Sequence, residues 1–451
     1  MSYPNPMSSR SRSILLVSGL AAIFLGASVL IAHFAFDADR YRPRLISYLQ
    51  ERTGKPIEIS HISLTLSPMS LRIENFGMKN SPPFPPGYTA KAASIDVRID
   101  ARQLLFHRRF VVNSLVLDQP DINLISDPSG AWNFDNPHRD SHEAFDLGEI
   151  GNVEIQHGQL VASNHLPSNA PGPVFLEVHD LNGTFEHVDL GAIVNPSSRS
   201  MGGQGMVHAD RLSFGAIDAG NLSFKLQLWA QQVFLAEVKA DVSGGHATGA
   251  IFFDLTGKRP AFRTSAGFAE IDVAKLLDPF ENGRGKMTGK MEGDLTLSGE
   301  IQHSVRPLAG IRGNGHVILH RGEVPNLELN ANLEKLVRFN NHGPSTAKPS
   351  SFERISTDFQ LENLRIRSET IDIDGYGVDV DGAGSFNVDG SNELSYDGIA
   401  KITTRQGFFT NTFARFAGAN FENGLLSFPF HVGGTIETPV FSKHAVHRSA
   451  S

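Results

Sequence analysis

From about Ile57 to Val440 the chain alternates apolar and polar residues with a period of two. Ile62-Ser63-Leu64-Thr65-Leu66, Leu71-Arg72-Ile73-Glu74, Ile95-Asp96-Val97-Arg98-Ile99, Ile122-Asn123-Leu124 and Ile371-Asp372-Ile373-Asp374 are clear instances. Such alternation puts apolar side chains on one face of a strand and polar ones on the other, as one-sided antiparallel sheets require. Helical segments are few. A short amphipathic helix is expected over Tyr41–Arg52, ended by Gly54 and Pro56, with brief ones near Ala101–Arg108, Val273–Phe280, Asn332–Phe339 and Arg405–Phe416. No strand–helix–strand rhythm emerges, which argues against a doubly wound α/β fold. Glycines recur at Gly244-Gly245, Gly283 with Gly285, Gly313 with Gly315, Gly375 with Gly377, and Gly382 with Gly384. They read as punctuation in a long meander of tight turns. The meander offers about 20–25 strands, on the order of 100 Å of sheet at about 4.8 Å per strand.

One segment breaks the pattern. Ile14 to Phe36 contains no Asp, Glu, Lys or Arg, and as a helix it reaches about 35 Å, enough to cross a hydrocarbon core of about 30 Å. A cleaved signal peptide has a shorter apolar region and a small-residue cleavage site, and no such site occurs between Leu25 and Arg44. An uncleaved anchor is the expectation. Arg10 and Arg12 precede it, and Arg40, Arg42, Arg44 and Arg52 follow it, so the charge count leaves its orientation open. Loop-like stretches at Ser81–Gly87, Asn136–Glu143, Leu166–Pro173, Asn195–Gly205 and Asn340–Ser351 complete the plan. It comprises a tail over 1–13, an anchor over 14–36, β units over 37–137, 138–305 and 306–440, and a tail over 441–451.

Composition narrows the chemistry. The 451 residues include no cysteine, which removes disulfides, zinc-thiolate sites and cysteine nucleophiles. With 40 Lys and Arg against 48 Asp and Glu, the chain lacks the basic excess that nucleic-acid binding needs. Gly283-Arg284-Gly285-Lys286-Met287-Thr288-Gly289-Lys290 fails the spacing of a phosphate loop. His138, Asp140, His142 and Glu143 lie in a polar loop with no spacing that would converge them on a metal. Glu369, Asp372, Asp374, Asp379, Asp381, Asp389, Glu393 and Asp397 fit no calcium-loop register, and the first Asp pairs alternate with apolar residues as a wetted sheet face does. Gly382-Ala383-Gly384-Ser385 has the wrong spacing for a nucleophile elbow. Nothing favours an enzyme, a cofactor or a metal.

The apolar faces still need a partner. Phe175, Phe185, Phe214, Phe224, Phe252, Phe262, Phe268, Phe359 and Phe386 sit in strand-like segments. Phenylalanine has no polar tip to satisfy, so these rings suit a dry protein core or a groove for acyl chains. Either two sheets pack as a sandwich, or one sheet curls and holds lipid. Alternation is the same in both.

Several strings, in order, resemble the AsmA family of bacterial envelope proteins. They are Thr53-Gly54-Lys55-Pro56-Ile57-Glu58-Ile59, Leu64-Thr65-Leu66-Ser67-Pro68 and Leu71-Arg72-Ile73-Glu74-Asn75-Phe76. Then come Leu115-Val116-Leu117-Asp118-Gln119-Pro120-Asp121-Ile122-Asn123-Leu124 and Gly130-Ala131-Trp132-Asn133-Phe134. Asp374-Gly375-Tyr376-Gly377 with Asp381-Gly382-Ala383-Gly384 resembles the family's paired turn region, and Phe428 to Pro439 its closing strand pair. The resemblance implies a single-pass protein of the Gram-negative inner membrane with its body in the periplasm. It implies a mainly β fold, an N-terminal transmembrane helix followed by an elongated, curled antiparallel sheet forming an apolar groove, related to bridge-like lipid-transfer proteins. The function implied is transfer of phospholipid toward the outer membrane, with membrane phospholipids and outer-membrane assembly or lipid-transfer proteins as partners. The alternative is a non-catalytic scaffold or assembly factor for outer-membrane proteins. The family offers no catalytic residues to carry over.

Overall fold

The computed structural model describes residues 37–127, 131–134, 149–165, 171–192, 198–256, 261–280, 285–300, 310–325, 351–403, 420–435 and 438–443, apart from isolated positions within them, together with 329, 332, 333 and 336. The expected anchor at 14–36, the helix near 405–416 and the cluster at 138–143 lie outside the described residues. Among the described residues no helix is long and apolar enough to cross a membrane.

The described strands form one long curled sheet. β1 (Ile57–Glu58) and β2 (His61–Leu66) lie end to end along one edge of β3 (Met69–Lys79). β3 pairs with β4 (Tyr88–Ile99). β5 (Val112–Asp118) and β6 (Asp121–Ser126) are two halves of a single rung, interrupted at Gln119-Pro120, between β4 and β7 (Glu149–His165). From β7 each strand pairs with the next: β8 (Pro171–Asp189), β9 (Met201–Phe214), β10 (Ile217–Trp229), β11 (Gln232–Val242), β12 (Gly245–Asp254) and β13 (Ala261–Asp272). The run continues through β14 (Lys290–Glu300), β15 (Arg312–Glu323), β16 (Ser351–Glu362), β17 (Arg365–Gly375), β18 (Val378–Asn387) and β19 (Leu394–Thr403). β21 (Leu425–Gly434) follows β19, and β20 (Asn420–Glu422) and β22 (Pro439–Lys443) share its far edge. Three of the 22 strands thus share a rung with another, leaving 19 rungs. At about 4.8 Å per step the sheet extends on the order of 85 Å. It runs without a break through the expected unit boundaries at 137 and 305, because β6 pairs with β7 and β14 with β15.

Two expectations change. The sheet is mixed, since β5 and β6 both run parallel to β7. Short hairpins enforce antiparallel pairing, but the connection after β6 is long enough to return the chain to the other rim. Second, only some of the paired glycines mark turns. Gly244 and Gly377 adopt positive φ in the β11–β12 and β17–β18 turns, whereas Gly313, Gly315, Gly382 and Gly384 lie inside β15 and β18. The loop expected to run to Gly205 ends earlier, because β9 starts at Met201.

The curl has a visible local cause. Asn75, His157, Asp180, His187, Asn221, Glu237, Glu270 and Arg321 lie within strands yet have φ between 44° and 58°. Such bulged residues bend a strand and increase its twist. On β7, β8 and β10 the bulges at His157, Asp180 and Asn221 fall at neighbouring positions, and side-chain bonds knit this crease. His157 Nδ1 lies 2.7 Å from Asp180 Oδ1, and Asn221 Nδ2 donates to Asp241 Oδ2 at 2.6 Å.

Helices are small. α1 (Arg42–Thr53) follows a 3-10 turn at Ala38–Tyr41 and ends at Gly54, whose left-handed φ of 67° lets its N–H reach Gln50 O at 2.8 Å. Its Leu45, Ile46 and Leu49 pack on Ile57, Ile59, Ile62 and Ile73. α2 (Ala101–His107) is capped by Asp100, which accepts from the N–H groups of Arg102 and Gln103. α3 (Val273–Leu277) is capped by Asp272.

The string Ala131-Trp132-Asn133-Phe134 folds back against β6, and Asn133 is fully buried there. Its Nδ2 donates to Asn80 Oδ1 at 2.9 Å and to Asn123 O at 2.8 Å, while its Oδ1 accepts from Ile125 N–H at 2.9 Å. The Lys55 ammonium donates to its carbonyl. Truncating this side chain strands several buried polar groups, each of which costs on the order of 1–3 kcal/mol. Asn133→Ala is therefore expected to lower stability by about 2 kcal/mol or more, read as a lower urea midpoint with an unchanged m-value.

Candidate functional site

Residues paired across neighbouring strands share a face, so register and alternation sort the side chains of the whole sheet. On one face lie Ile62, Ile73, Ile95, Leu117, Val153, Phe185, Val207, Phe224, Leu235, Ile251, Phe262, Leu295, Val317, Ile355, Ile373, Val380, Ala400 and Phe428. Every rung from β2 to β21 contributes an apolar residue to it. The other face is strongly polar. Around β12 to β16 it carries Arg263, Lys290, Glu292, Asp294, His316, His320, Arg354 and Asp358, with His316 2.8 Å from Asp358 and His320 2.9 Å from Glu292.

The two ends of the apolar face are covered. α1 seals the N-terminal end. At the C-terminal end Leu329, Leu333 and Leu336 pack on Val378, Val380, Ala400, Ile402, Leu426, Phe428, Phe430 and Val432. Two smaller clusters, centred on Val112, Ile150 and Val188 and on Val178, Ala209 and Leu222, close the curl from β4 to β11. None of these clusters draws a residue from β12 to β16. There, apart from Ile271 and Phe352 near one rim, the apolar side chains are only half-buried. Thr264 and Thr357 stand on this face, but their hydroxyls donate to Ala250 O at 3.1 Å and Thr370 O at 2.9 Å, so the sheet itself satisfies them. Beside the covered end, burial pushes the Tyr396 phenol up, opposed by its hydrogen bond with Ser368. The direction is that of a dry environment.

Of the nine phenylalanines singled out in the sequence, Phe185, Phe214, Phe224, Phe262, Phe268, Phe359 and Phe386 lie on the apolar face. Phe262, Phe268 and Phe359 belong to the uncovered stretch, while Phe214 sits at the β9–β10 turn and is 58% exposed. Phe175 and Phe252 are corrections. Phe175 falls between Leu176 and Val174 on the side of Glu177, and Phe252 pairs with Phe234 and Arg263 on the polar face. In both places consecutive apolar residues, Val174-Phe175-Leu176 and Phe252-Phe253, hide the facing until register is known. Phe253, directly opposite Phe262, is an aromatic of the uncovered stretch that sequence reading missed, as it missed Phe428 and Phe430 at the covered end.

Among the described residues no three His, Asp or Glu side chains are grouped to hold a metal ion. A shallow cavity of 370 Å³ lined by Arg365, Ser385, Asn387, Glu393 and Thr435 opens on the polar side. No protein-family model matches the chain, and no curated protein matches it.

The acidic segment lies on the polar face, as its alternation required. Asp372 stands opposite Asp381, and Asp374 opposite Asp379. Burial and then the Asp374 charge push the Asp379 carboxyl above its usual range, while Lys401 opposes them. Because the folded state raises this pKa, the favourable contribution exists at low pH and is lost as pH rises through the folded value. Asp379→Asn is therefore expected to raise the melting temperature at neutral pH. That gain should shrink as pH falls below the ordinary carboxylate range, and thermal scans at several pH values read both effects.

Proposed function

We propose that this protein is a non-catalytic lipid carrier of the AsmA kind, anchored in the inner membrane through 14–36 with its body in the periplasm, which moves phospholipid toward the outer membrane. The observation that supports the reading is the stretch from β12 to β16, apolar on one side, charged on the other, and left without a cover by the described residues. Acyl chains laid on it remove apolar area from water, about 25 cal/mol for each Å². The headgroup stays at the open rim, and binding tolerates different headgroups because the contact is with the chains.

The test uses the full chain in its native membrane, with a photo-reactive phenylalanine analogue at Phe262 or at Phe252. These residues lie on adjacent strands but on opposite faces. Phospholipid adducts identified by mass spectrometry are expected at position 262 and not at 252. Equal labelling of both positions, or labelling of neither, would sink the carrier reading. Capture of an outer-membrane assembly protein at 262 in place of lipid would point to the scaffold.

A further inference from the structure

Several glycines on the apolar face stand directly opposite an aromatic residue of the next strand. Among the pairs are Gly205 with Phe185, Gly299 with Phe262, Gly315 with Phe359, Gly322 with the buried Phe352 near one rim, Gly384 with Tyr396, and Gly398 with Phe430. In each, the ring occupies the space a side chain at the glycine would need. A methyl on Gly299 would lie 3.2 Å from Phe262 Cε1, and one on Gly315 would lie 2.9 Å from both Cε1 and Cζ of Phe359. Ring atoms that close to a neighbouring strand's Cβ position belong to a side chain lying along the sheet, not one standing up from it. Cross-strand aromatic cover of glycine is a known way to stabilise a sheet. In the three pairs at β8 and β18–β21 the face is already closed by clusters of buried residues, and stability accounts for them. Phe262 and Phe359 are different, because they flank strands β14 and β15, where no layer of described residues rests on the rings.

We propose that Gly299 and Gly315 set the depth of the lipid-binding trough by letting Phe262 and Phe359 lie flat, so that straight acyl chains can rest across β14 and β15. The inference rests on the lipid-carrier reading and assigns these positions the control of chain access. A side chain at either glycine lifts the ring into the path of the ligand. Gly299 is the better place to test this. Its nearest backbone neighbour, Gly310 O, is 3.1 Å from the added methyl, whereas a methyl on Gly315 would collide with Asp294 O.

The experiment places the photo-reactive analogue at Phe253, which faces Phe262 across the β12–β13 pair, in the full chain in its membrane. Gly299→Val is expected to lower phospholipid labelling several-fold, and Gly299→Ala to lower it less. Adding Phe262→Ala to Gly299→Val is expected to restore labelling, and the melting temperature of Gly299→Val is expected to stay close to that of the parent chain, which separates a lifted ring from a weakened sheet. Gly267→Ala, on the polar face of β13 with Thr248 Oγ1 3.7 Å away, is expected to leave labelling unchanged. Undiminished labelling in Gly299→Val, or a loss that Phe262→Ala fails to rescue, would overturn the role of the pair while leaving the carrier reading intact. Absence of labelling in the chain with both glycines in place would overturn the carrier reading, and this inference with it.

Discussion

A single-layered sheet with one apolar face cannot leave that face in water, and the architecture follows from how the face is covered. Nineteen rungs generate more apolar surface than the described helices hide. α1 and the residues around Leu333 cover the two ends, and curling lets β4 to β11 cover themselves. What remains is the span from β12 to β16. A closed sandwich would need a second layer there, and the described chain places none.

The curl and the smoothness of the face both come from departures from ideal strands. Bulges at residues such as Asp180, Asn221 and Glu270 bend strands that would otherwise be flat. Glycines inside strands normally weaken them. Here the neighbouring rings take over the missing contacts, so a feature that costs conformational entropy in isolation becomes part of a continuous apolar floor.

Strand content, the one-sided face and the short helix before Gly54 were legible from alternation and capping residues alone. Seven of the nine chosen phenylalanines lie on the apolar face, since alternation around each was clean. Phe175 and Phe252 failed because adjacent apolar residues leave facing undetermined until a partner strand is known. Parallel pairing of β5 and β6 with β7 was invisible because it depends on a connection of no regular pattern. Gly313, Gly315, Gly382 and Gly384 read as turns because glycine's commonest local meaning is a turn, and only the aromatic on the next strand, as with Phe359 opposite Gly315, shows otherwise. The bulges did leave a trace. In Ile73 to Phe76, Val178 to Leu181, Phe185 to Val188, Ala219 to Leu222, Leu235 to Val238 and Phe268 to Ile271, the apolar spacing steps from two residues to three, with the positive-φ residue third in each string.

Those three-residue steps also bear on how so long a meander finds one alignment. A slip of one residue between strands inverts every side chain and is penalised everywhere. A slip of two keeps each apolar group on the apolar side, so uniform alternation barely opposes it. The bulges differ in position from strand to strand, and the pairing steps past them only at particular places, as between Leu235 and Val238 or Phe268 and Ile271. They act like the unequal cuts of a key: a two-residue error leaves a bend facing a straight segment and a ring facing a side chain where a glycine should be. The irregular positions, not the regular ones, carry the information that makes the native pairing unique.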